Sequence, residues 1–292
     1  MQVSDFEEHR RTAGVEGGEV SYVDVGAGDP VLFLHGVFMS AYLWHGVLER
    51  LSGAFRCIAL DLPAHGRTNV SGKWFAPSET AELVHRFCDA LGLERLHVVG
   101  NDTGGAIAQL FTVARPERVL SLTLTNCDVH DEFPPKAFAD SVDGARRGEL
   151  AEGLQLVAND RGAARAAMVI GFERPEDVPD EELDAYFERF RSLEACREVE
   201  KRIVAIADDS DALVRIEPQL RQLDVPTLIV WGTDDIFFDV ALAQWLKDAI
   251  PGAAEVVELE GAKLLFPAER PDELAPNLRK HLESAARRSV AG

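Results

Sequence analysis

One short stretch constrains the fold of this chain more than any other. An apolar run at residues 96–99 is followed by Gly-Asn-Asp-Thr-Gly-Gly, and a helical pattern begins at once. The run predicts a buried strand, and the glycines at 100, 104 and 105 predict a turn too sharp for side chains. Asp102 then lies at a helix N-terminus, where the helix dipole and free N–H groups favour an anion. Asp102 is therefore expected to be ionised and able to attack a carbon atom or take up a proton. A helix N-cap is its alternative role.

Short apolar runs alternate with helical patterns on both sides of this turn. Such alternation predicts an α/β fold with a mostly parallel sheet flanked by helices. The predicted strands are at 31–34, 55–60, 96–99, 119–125, 226–231 and 255–259, and the predicted helices are at 42–51, 77–91, 104–114, 240–250 and from 271 onward.

Residues 130–213 interrupt the alternation. They contain charged, amphipathic helical patterns and no convincing strand, and the strongest pattern runs from 181 to 207. A helical insertion between two strand–helix blocks is typical of one core with a lid. We therefore predict that residues 1–129 and 214–292 form the core and that residues 130–213 form a helical cap.

The composition narrows the classes of function. Acidic residues outnumber basic residues by 50 to 30, which gives a formal net charge of −20. This charge repels phosphate backbones and anionic lipid headgroups, so we expect neither nucleic acid nor a membrane as a partner. No apolar run approaches the ~20 residues of a membrane-spanning helix, and the acidic N-terminus is unlike a secretory signal. We expect a cytoplasmic enzyme, monomeric or homodimeric, that acts on a small molecule.

The four cysteines support no metal site. They are far apart in the chain, at 57, 88, 127 and 196, and none has the spacing of a metal ligand. They are expected to be reduced and buried, as in a cytosolic protein. No metal and no cofactor is predicted.

Further motifs lie where strands are predicted to end. The first strand is followed by His-Gly-Val-Phe at 35–38, and the strand at 226–231 leads into Trp-Gly-Thr-Asp-Asp at 231–235. Together with the turn around Asp102 and an Asp-x-Pro-x-x-Gly turn at 61–66, these motifs resemble the α/β-hydrolase superfamily over nearly the whole chain. Within the turn at 61–66, His65 is expected to be structural.

The resemblance assigns roles to several residues. It implies that the backbone N–H groups of Val37, with Phe38 as the alternative, and of Thr103 form an oxyanion hole. One such donor typically contributes ~3 kcal/mol of transition-state stabilisation. The resemblance also implies that Asp235 is the acid of a catalytic triad, with Asp234 as a one-residue alternative.

The histidine of that triad is absent. In the superfamily it follows the last strand in a sequence such as Gly-Ala-Gly-His-Phe. Residues 260–267 of this chain read Glu-Gly-Ala-Lys-Leu-Leu-Phe-Pro, which places Leu264 at the histidine position. No histidine occurs between Asp131 and Lys280, and His281 lies far along the last predicted helix. The usual general base is therefore missing.

An aspartate at the turn resembles the haloalkane dehalogenase and epoxide hydrolase branch. There the carboxylate forms an alkyl ester, which histidine-activated water cleaves. Two features differ. Val37 and Thr103 stand where dehalogenases usually have the asparagine and tryptophan that bind halide. Epoxide hydrolases use tyrosines of the cap to protonate the epoxide oxygen, but the one tyrosine of this cap, Tyr186, is expected to pack in an apolar stripe. Because a general base contributes roughly 10²–10⁴-fold in rate, the ester is expected to form and persist without one.

Three hypotheses follow from an aspartate without a histidine. In the first, another base replaces it: His130 or Asp128, which follow the fourth strand beside Asn126, or Lys263. A hinge histidine on the surface and a solvated lysine are the structural alternatives for His130 and Lys263. In the second, Asp102 is the acid/base of a cofactor-independent lyase, isomerase or cyclase. In the third, the chain is a non-catalytic ligand-binding protein.

The combined prediction is an α/β-hydrolase-fold enzyme that acts on a small, largely apolar molecule. Hydrolysis of an epoxide, an alkyl halide or an ester is favoured, with Asp102 as nucleophile. The residues predicted to line its pocket are His35, Phe38, Trp44, Asn126, Phe237, Phe238, Leu264 and Phe266.

Overall fold

The sheet is the framework of the molecule. A computed structural model describes the backbone of residues 1–291 and the side chains up to residue 287. In this part of the chain nine strands form one sheet in the order β1-β2-β4-β3-β6-β7-β8-β9, with β5 paired to β2. The strands are β1 Arg10–Val15, β2 Gly18–Val25, β3 Pro30–Leu34, β4 Arg56–Leu60, β5 Asn69–Val70, β6 Leu96–Asp102, β7 Val119–Cys127, β8 Thr227–Gly232 and β9 Ala253–Leu259.

The direction of the strands confirms the predicted fold class. Strands β4, β3, β6, β7, β8 and β9 run parallel to one another, and these are the six strands that the apolar runs predict. On its other side β4 pairs antiparallel with β2. The hairpin of β1 and β2 and the short β5 pair antiparallel and were not predicted. Strand β1 lies at the edge of the sheet, where mostly solvent-accessible residues give no continuous apolar run.

Helices cover both faces of the sheet and build the insertion. Those that belong to the core by sequence are α1 Val3–Glu8, α2 His45–Leu51, α3 Pro77–Ala90, α4 Thr103–Ala114, α11 Glu217–Leu220, α12 Val240–Ala249, α13 Phe266–Glu269 and α14 Pro271–Ala291. Those between β7 and β8 that lie in the insertion are α5 Ala139–Arg147, α6 Leu150–Ala158, α7 Arg161–Met168, α8 Asp180–Phe187, α9 Leu193–Asp208 and α10 Ala212–Arg215. Among the described helices, none is both long enough and apolar enough to cross a bilayer.

The insertion, here called the lid, packs on the carboxyl ends of the strands. The helical pattern predicted over 181–207 is present, and it is divided between α8 and α9, which are separate helices. Between them the Arg189 guanidinium donates to the carbonyl oxygens of Ala64 at 2.8 Å and Gly66 at 3.0 Å. Ser192 then caps α9. These contacts turn the chain and hold the lid on the core. The four cysteines are free and buried, as predicted.

Candidate active site

The turn between β6 and α4 holds Asp102 in an uncommon backbone conformation. Its φ of 54° and ψ of −133° lie in a region that residues other than glycine rarely adopt. The turn is possible because neighbouring positions lack side chains. A Cβ at Gly104 would collide with the carbonyl oxygen of Leu34, and a Cβ at Gly36 would collide with the Asp102 carboxylate. The sequence thus places one carboxyl group at the end of a central strand.

A backbone N–H group from the loop after β3 binds this carboxyl. Val37 donates its N–H to Asp102 Oδ2 at 2.9 Å. The N–H of Phe38 donates instead to His65 Nε2 at 3.1 Å, so Phe38 does not provide the oxyanion contact and His65 has the structural role predicted for it. The Thr103 N–H also stabilises the Asp102 anion. Asp102 therefore lies against both N–H groups that the resemblance assigned to an oxyanion hole.

The protonation state of Asp102 differs from the prediction. Burial raises the pKa of the Asp102 carboxyl to about 7, although the N–H groups of Val37 and Thr103 lower it. The negative charge of Asp235 adds to the rise. A carboxyl with this pKa is only partly ionised at neutral pH, whereas the turn alone predicts an ionised group, because the helix N-terminus does not fully replace the lost hydration.

A second carboxyl shares the cavity of Asp102. A cavity of about 70 Å³ is lined by Asp102, Thr103 and Asp128, among others. Asp128 is 1% exposed, and neither of its carboxyl oxygens has a hydrogen-bond partner in the described part of the chain. Burial and then the charge of Asp102 raise the pKa of Asp128 well above its ordinary value, and the Thr103 side chain lowers the pKa of both carboxyls. At neutral pH the pair therefore holds at least one proton.

The third carboxyl, Asp235, is fixed by hydrogen bonds. The Asn126 amide donates to its Oδ2 at 2.8 Å, and the Phe237 N–H donates to its Oδ1 at 2.8 Å. Burial raises its pKa to about 6. Asn126 is itself bound to both backbone groups of Gly232 and does not line the cavity. The alternative acid, Asp234, is exposed. Asp235 thus lies where its charge reaches Asp102, and its role as a triad acid stays a prediction.

Leu264 forms part of the cavity wall next to Asp102. Its side chain is 8% exposed, and its carbonyl oxygen accepts a hydrogen bond of 3.1 Å from the Asn101 amide. The residues lining the cavity with it are Val37, Phe38, Asp102, Thr103, Asp128, Pro134, Pro135, Phe138, Ile206 and Phe237. No histidine occurs among these lining residues. The predicted pocket positions of Phe38, Phe237 and Leu264 agree with this arrangement.

Besides Asn126, four more of the residues predicted to line the pocket do not line this cavity. His35 is fully buried and accepts a hydrogen bond of 2.9 Å from the Leu62 N–H, so it supports the loop below the site. Trp44 and Phe266 are fully buried in the core on the side of α2 and α14, and Phe238 is 1% exposed. The Phe238 carbonyl accepts the Trp231 indole N–H at 2.9 Å. Sequence position placed these residues near the site but did not give the direction of their side chains.

The predicted replacement base His130 also lies outside the cavity. Its ring nitrogens contact Asp131 at 2.9 Å and Glu217 at 2.8 Å, and its ring lies 4.7 Å from that of Trp245. Through its contact with Glu217, His130 links the start of the lid to the segment that follows the lid. Lys263 donates to the Val169 carbonyl at 2.9 Å and lines neither this cavity nor the next. Of the proposed bases, only Asp128 lies at the cavity.

A larger apolar cavity adjoins the first under the lid. Its volume is about 480 Å³, and α6, α7 and the loop after β8 contribute to its walls. Tyr186 is one of its lining residues, although its ring is 4% exposed and packs against Tyr42 and Phe172. The packing predicted for Tyr186 is confirmed, and its contact with the cavity was missed. Phe138 and Ile206 were also missed, because the helical pattern of the lid does not indicate which apolar face covers the site.

Comparison with known proteins agrees with this architecture. The family model for the alpha/beta hydrolase fold matches residues 29–267. The chain is 29% identical over 275 residues to the dihydrolipoyllysine-residue acetyltransferase component of the acetoin cleaving system of Cupriavidus necator, covering 92% of this chain and 68% of that protein. It is 28% identical over 273 residues to haloalkane dehalogenase 2 of Mycobacterium bovis, covering 88% of this chain and 89% of that protein.

A solved structure shows the same fold. The epoxide hydrolase CorEH superposes with a TM-score of 0.77 at 20% identity, covering 94% of this chain and 98% of that chain. The protein described here therefore belongs to the alpha/beta hydrolase fold family. Its relatives and its site define it as a hydrolase-type enzyme of that superfamily.

Proposed function

We propose that this enzyme hydrolyses an epoxide on a small apolar molecule, with Asp102 as nucleophile and Asp128 as the store of the catalytic proton. One observation carries the proposal: two carboxyl groups with raised pKa values, Asp102 and Asp128, line one small cavity. Two interacting carboxyls that share a proton supply a base and an acid at the same pH.

The first half-reaction forms an ester. The Val37 N–H holds Asp102 Oδ2, which leaves the other oxygen to attack an epoxide carbon. The carbon–oxygen bond of the ring breaks, and the epoxide oxygen takes the proton of Asp128. The products are a hydroxyalkyl ester on Asp102 and an ionised Asp128.

The second half-reaction cleaves the ester and restores the proton. Ionised Asp128 accepts a proton from water as the hydroxide attacks the ester carbonyl, and the Val37 and Thr103 N–H groups stabilise the oxyanion. The leaving alkoxide takes that proton from Asp128, and the acid proton of Asp102 then returns to Asp128. Because Asp128 replaces histidine as the base, this step is expected to be slow and the ester to accumulate.

The chemistry of the cavity favours an epoxide over the other substrates. A departing halide needs N–H donors, and the side chains that line the cavity of Asp102 provide none. Attack on a carboxylic ester gives an intermediate that expels the carboxylate more easily than the alkoxide. Opening an epoxide, in contrast, requires a proton at the oxygen, which Asp128 supplies.

Isotope labelling tests this proposal. In H₂¹⁸O, one turnover of 1,2-epoxyoctane is expected to place ¹⁸O in the peptide containing Asp102 and unlabelled oxygen in the diol, as measured by mass spectrometry.

Asp102→Asn should form no ester. Asp128→Asn should slow both ester formation and ester cleavage by roughly 10²-fold or more, the usual contribution of an acid or base. Asp234→Asn, which changes an exposed neighbour of Asp235, is the matched control and should behave as the wild type. A diol labelled directly from water would contradict the nucleophilic role.

A second candidate function rests on the pKa of about 7 at Asp102. A group with that pKa is suited to general acid/base catalysis near neutral pH, as in a cofactor-independent lyase or isomerase. The same labelling experiment separates the two functions, because an elimination or isomerisation puts ¹⁸O neither in Asp102 nor in the product.

A further inference from the structure

The two cavities under the lid adjoin at a set of shared apolar side chains, here called the neck. Five residues line both the cavity of about 70 Å³ at Asp102 and the cavity of about 480 Å³ beyond it: Val37, Phe38, Phe138, Phe237 and Leu264. A ligand that reaches Asp102 from the larger cavity passes these side chains. Leu264 is buried at this point and held by its neighbours, since its carbonyl oxygen binds the Asn101 amide and the next N–H binds the Gly171 carbonyl at 2.9 Å.

The cavity at Asp102 has room for only a small group. Its volume of about 70 Å³ is roughly one seventh of the volume of about 480 Å³ of the larger cavity. A three-membered ring fits this space, whereas a second substituent on the far ring carbon has to fit against Pro134, Pro135 and Ile206. Interiors are packed too densely to admit an extra group without displacing side chains.

The larger cavity suits a long uncharged chain. Its volume of about 480 Å³ is in the range of ligand pockets, ~300–1,000 Å³. Its walls are mainly apolar, and Glu149 is the one charged residue among those that line it. Ile170 and Ile236 line it as well and are 50% and 62% exposed, which marks them as its mouth. An anionic chain end therefore meets a glutamate and a strongly acidic protein rather than a cation.

We infer that the substrate is a neutral, unbranched chain with its reactive group at the end, and that Leu264 determines this specificity at the neck. The inference rests on the proposed function for the identity of the reactive group. The shape and charge of the ligand follow from the two cavities alone.

Kinetics with matched substrates test the inference. The expected order of kcat/KM is 1,2-epoxydecane above 4,5-epoxydecane by roughly tenfold or more, because an internal epoxide brings two chains into the small cavity. A chain of the same length with a terminal carboxylate should also react more slowly than 1,2-epoxydecane.

Leu264→Ala should reduce the preference for the terminal epoxide several-fold. Leu265→Ala is the matched control, since Leu265 lines the larger cavity but not the small one, and it should keep the preference. Equal rates for both epoxides in the wild type would overturn the inference.

Binding of unreactive ligands separates this inference from the proposed function. 1-Decanol is expected to raise the melting temperature of the wild type more than 5-decanol or decanoate does, and Leu264→Ala should narrow the difference between the two alcohols. If no epoxide reacts but the alcohols show this order, the specificity stands and the epoxide reaction fails. If epoxides react and the alcohols bind equally, the reaction stands and the specificity fails.

Discussion

The carboxyl of Asp102 is subject to two opposing effects, and their balance sets its pH dependence. Burial raises its pKa to about 7, while the N–H groups that bind it lower the pKa. As a nucleophile Asp102 has to be ionised, so the rate of ester formation is expected to rise with pH through about 7 and then level off. Stopped-flow or quenched single-turnover experiments between pH 5 and 9 measure this rate. A rate independent of pH over this range would contradict the role of Asp102.

The charge of the Asp235 carboxylate is expected to set where this pH profile rises. Its charge raises the pKa of Asp102, and its own pKa of about 6 leaves it mostly ionised at neutral pH. Asp235→Asn is therefore expected to move the rising limb of the profile to lower pH. An unchanged midpoint would mean that the charge of Asp235 does not reach Asp102.

The same pKa predicts a change in stability. The folded protein keeps the Asp102 proton up to about pH 7, whereas the unfolded chain releases it near the ordinary pKa of aspartate, ~3.9. Folding therefore binds a proton between these values, and the free energy of unfolding falls as the pH rises from about 4 to 7. Asp102→Asn should remove this contribution, so between pH 4 and pH 8 its free energy of unfolding should fall less than that of the wild type, by on the order of 4 kcal/mol for a shift of about three pKa units. Urea unfolding of both proteins at the two pH values measures the difference.

Leu264 allows the missing base to be restored. Leu264→His brings an imidazole to the cavity wall next to Asp102 and is expected to speed decay of the ester by roughly tenfold or more, toward the ~10²–10⁴-fold of a well-placed base. Leu264→Gln adds polarity without a base and should leave the decay slow. The lifetime of the adduct is measured by intact-mass spectrometry. Equal lifetimes in all three proteins would show that residue 264 is not at the histidine position.

At the scale of elements, the sequence predicts best what burial on both faces of the sheet controls. The runs at 31–34 and 226–231 predict β3 and β8 because a strand covered on both sides needs continuous apolar residues. The hairpin at the sheet edge has no such pattern and is missed. In the site, too, the sequence predicts what a local pattern encodes and misses what depends on the packing of distant segments. Asp102 is predicted by its glycine-flanked turn, whereas the pairing of Asp102 with Asp128 depends on the register of β6 with β7, which no local pattern contains.

Helix α9 places the guanidinium of Arg202 in the interior, which predicts that replacing this arginine does not destabilise the protein. Arg202 is 1% exposed, its Nη1 reaches Thr80 Oγ1 at 3.4 Å, and its Nε has no partner in the described part of the chain. Burial lowers its pKa to about 9. Because a buried charge without a counter-ion is costly, Arg202→Met is expected to leave the free energy of unfolding unchanged or to raise it by ~1–3 kcal/mol.

Arg10 is the control for this prediction. Its guanidinium contacts Asp61 at 2.5 Å and Glu7 at 2.8 Å, and Asp61 is fully buried. Arg10→Met leaves the Asp61 carboxylate without its cation and should destabilise the protein by ~3–5 kcal/mol. Denaturant unfolding of both variants gives the comparison. Similar losses in the two would mean that Arg202 is compensated as well as Arg10.

At the scale of the whole molecule, the net charge of −20 predicts how salt affects stability. Excess like charge destabilises a compact state, and salt screens this repulsion over a Debye length of ~10 Å at 0.1 M. Salt also weakens the exposed ion pairs, such as Arg161 with Asp180 and Arg146 with Asp208, but such pairs contribute only ~0–1 kcal/mol each. The repulsion should outweigh them, so the melting temperature is expected to rise as NaCl increases from 20 to 500 mM. A fall over this range would show that the surface ion pairs, rather than the net charge, dominate the electrostatic free energy of folding.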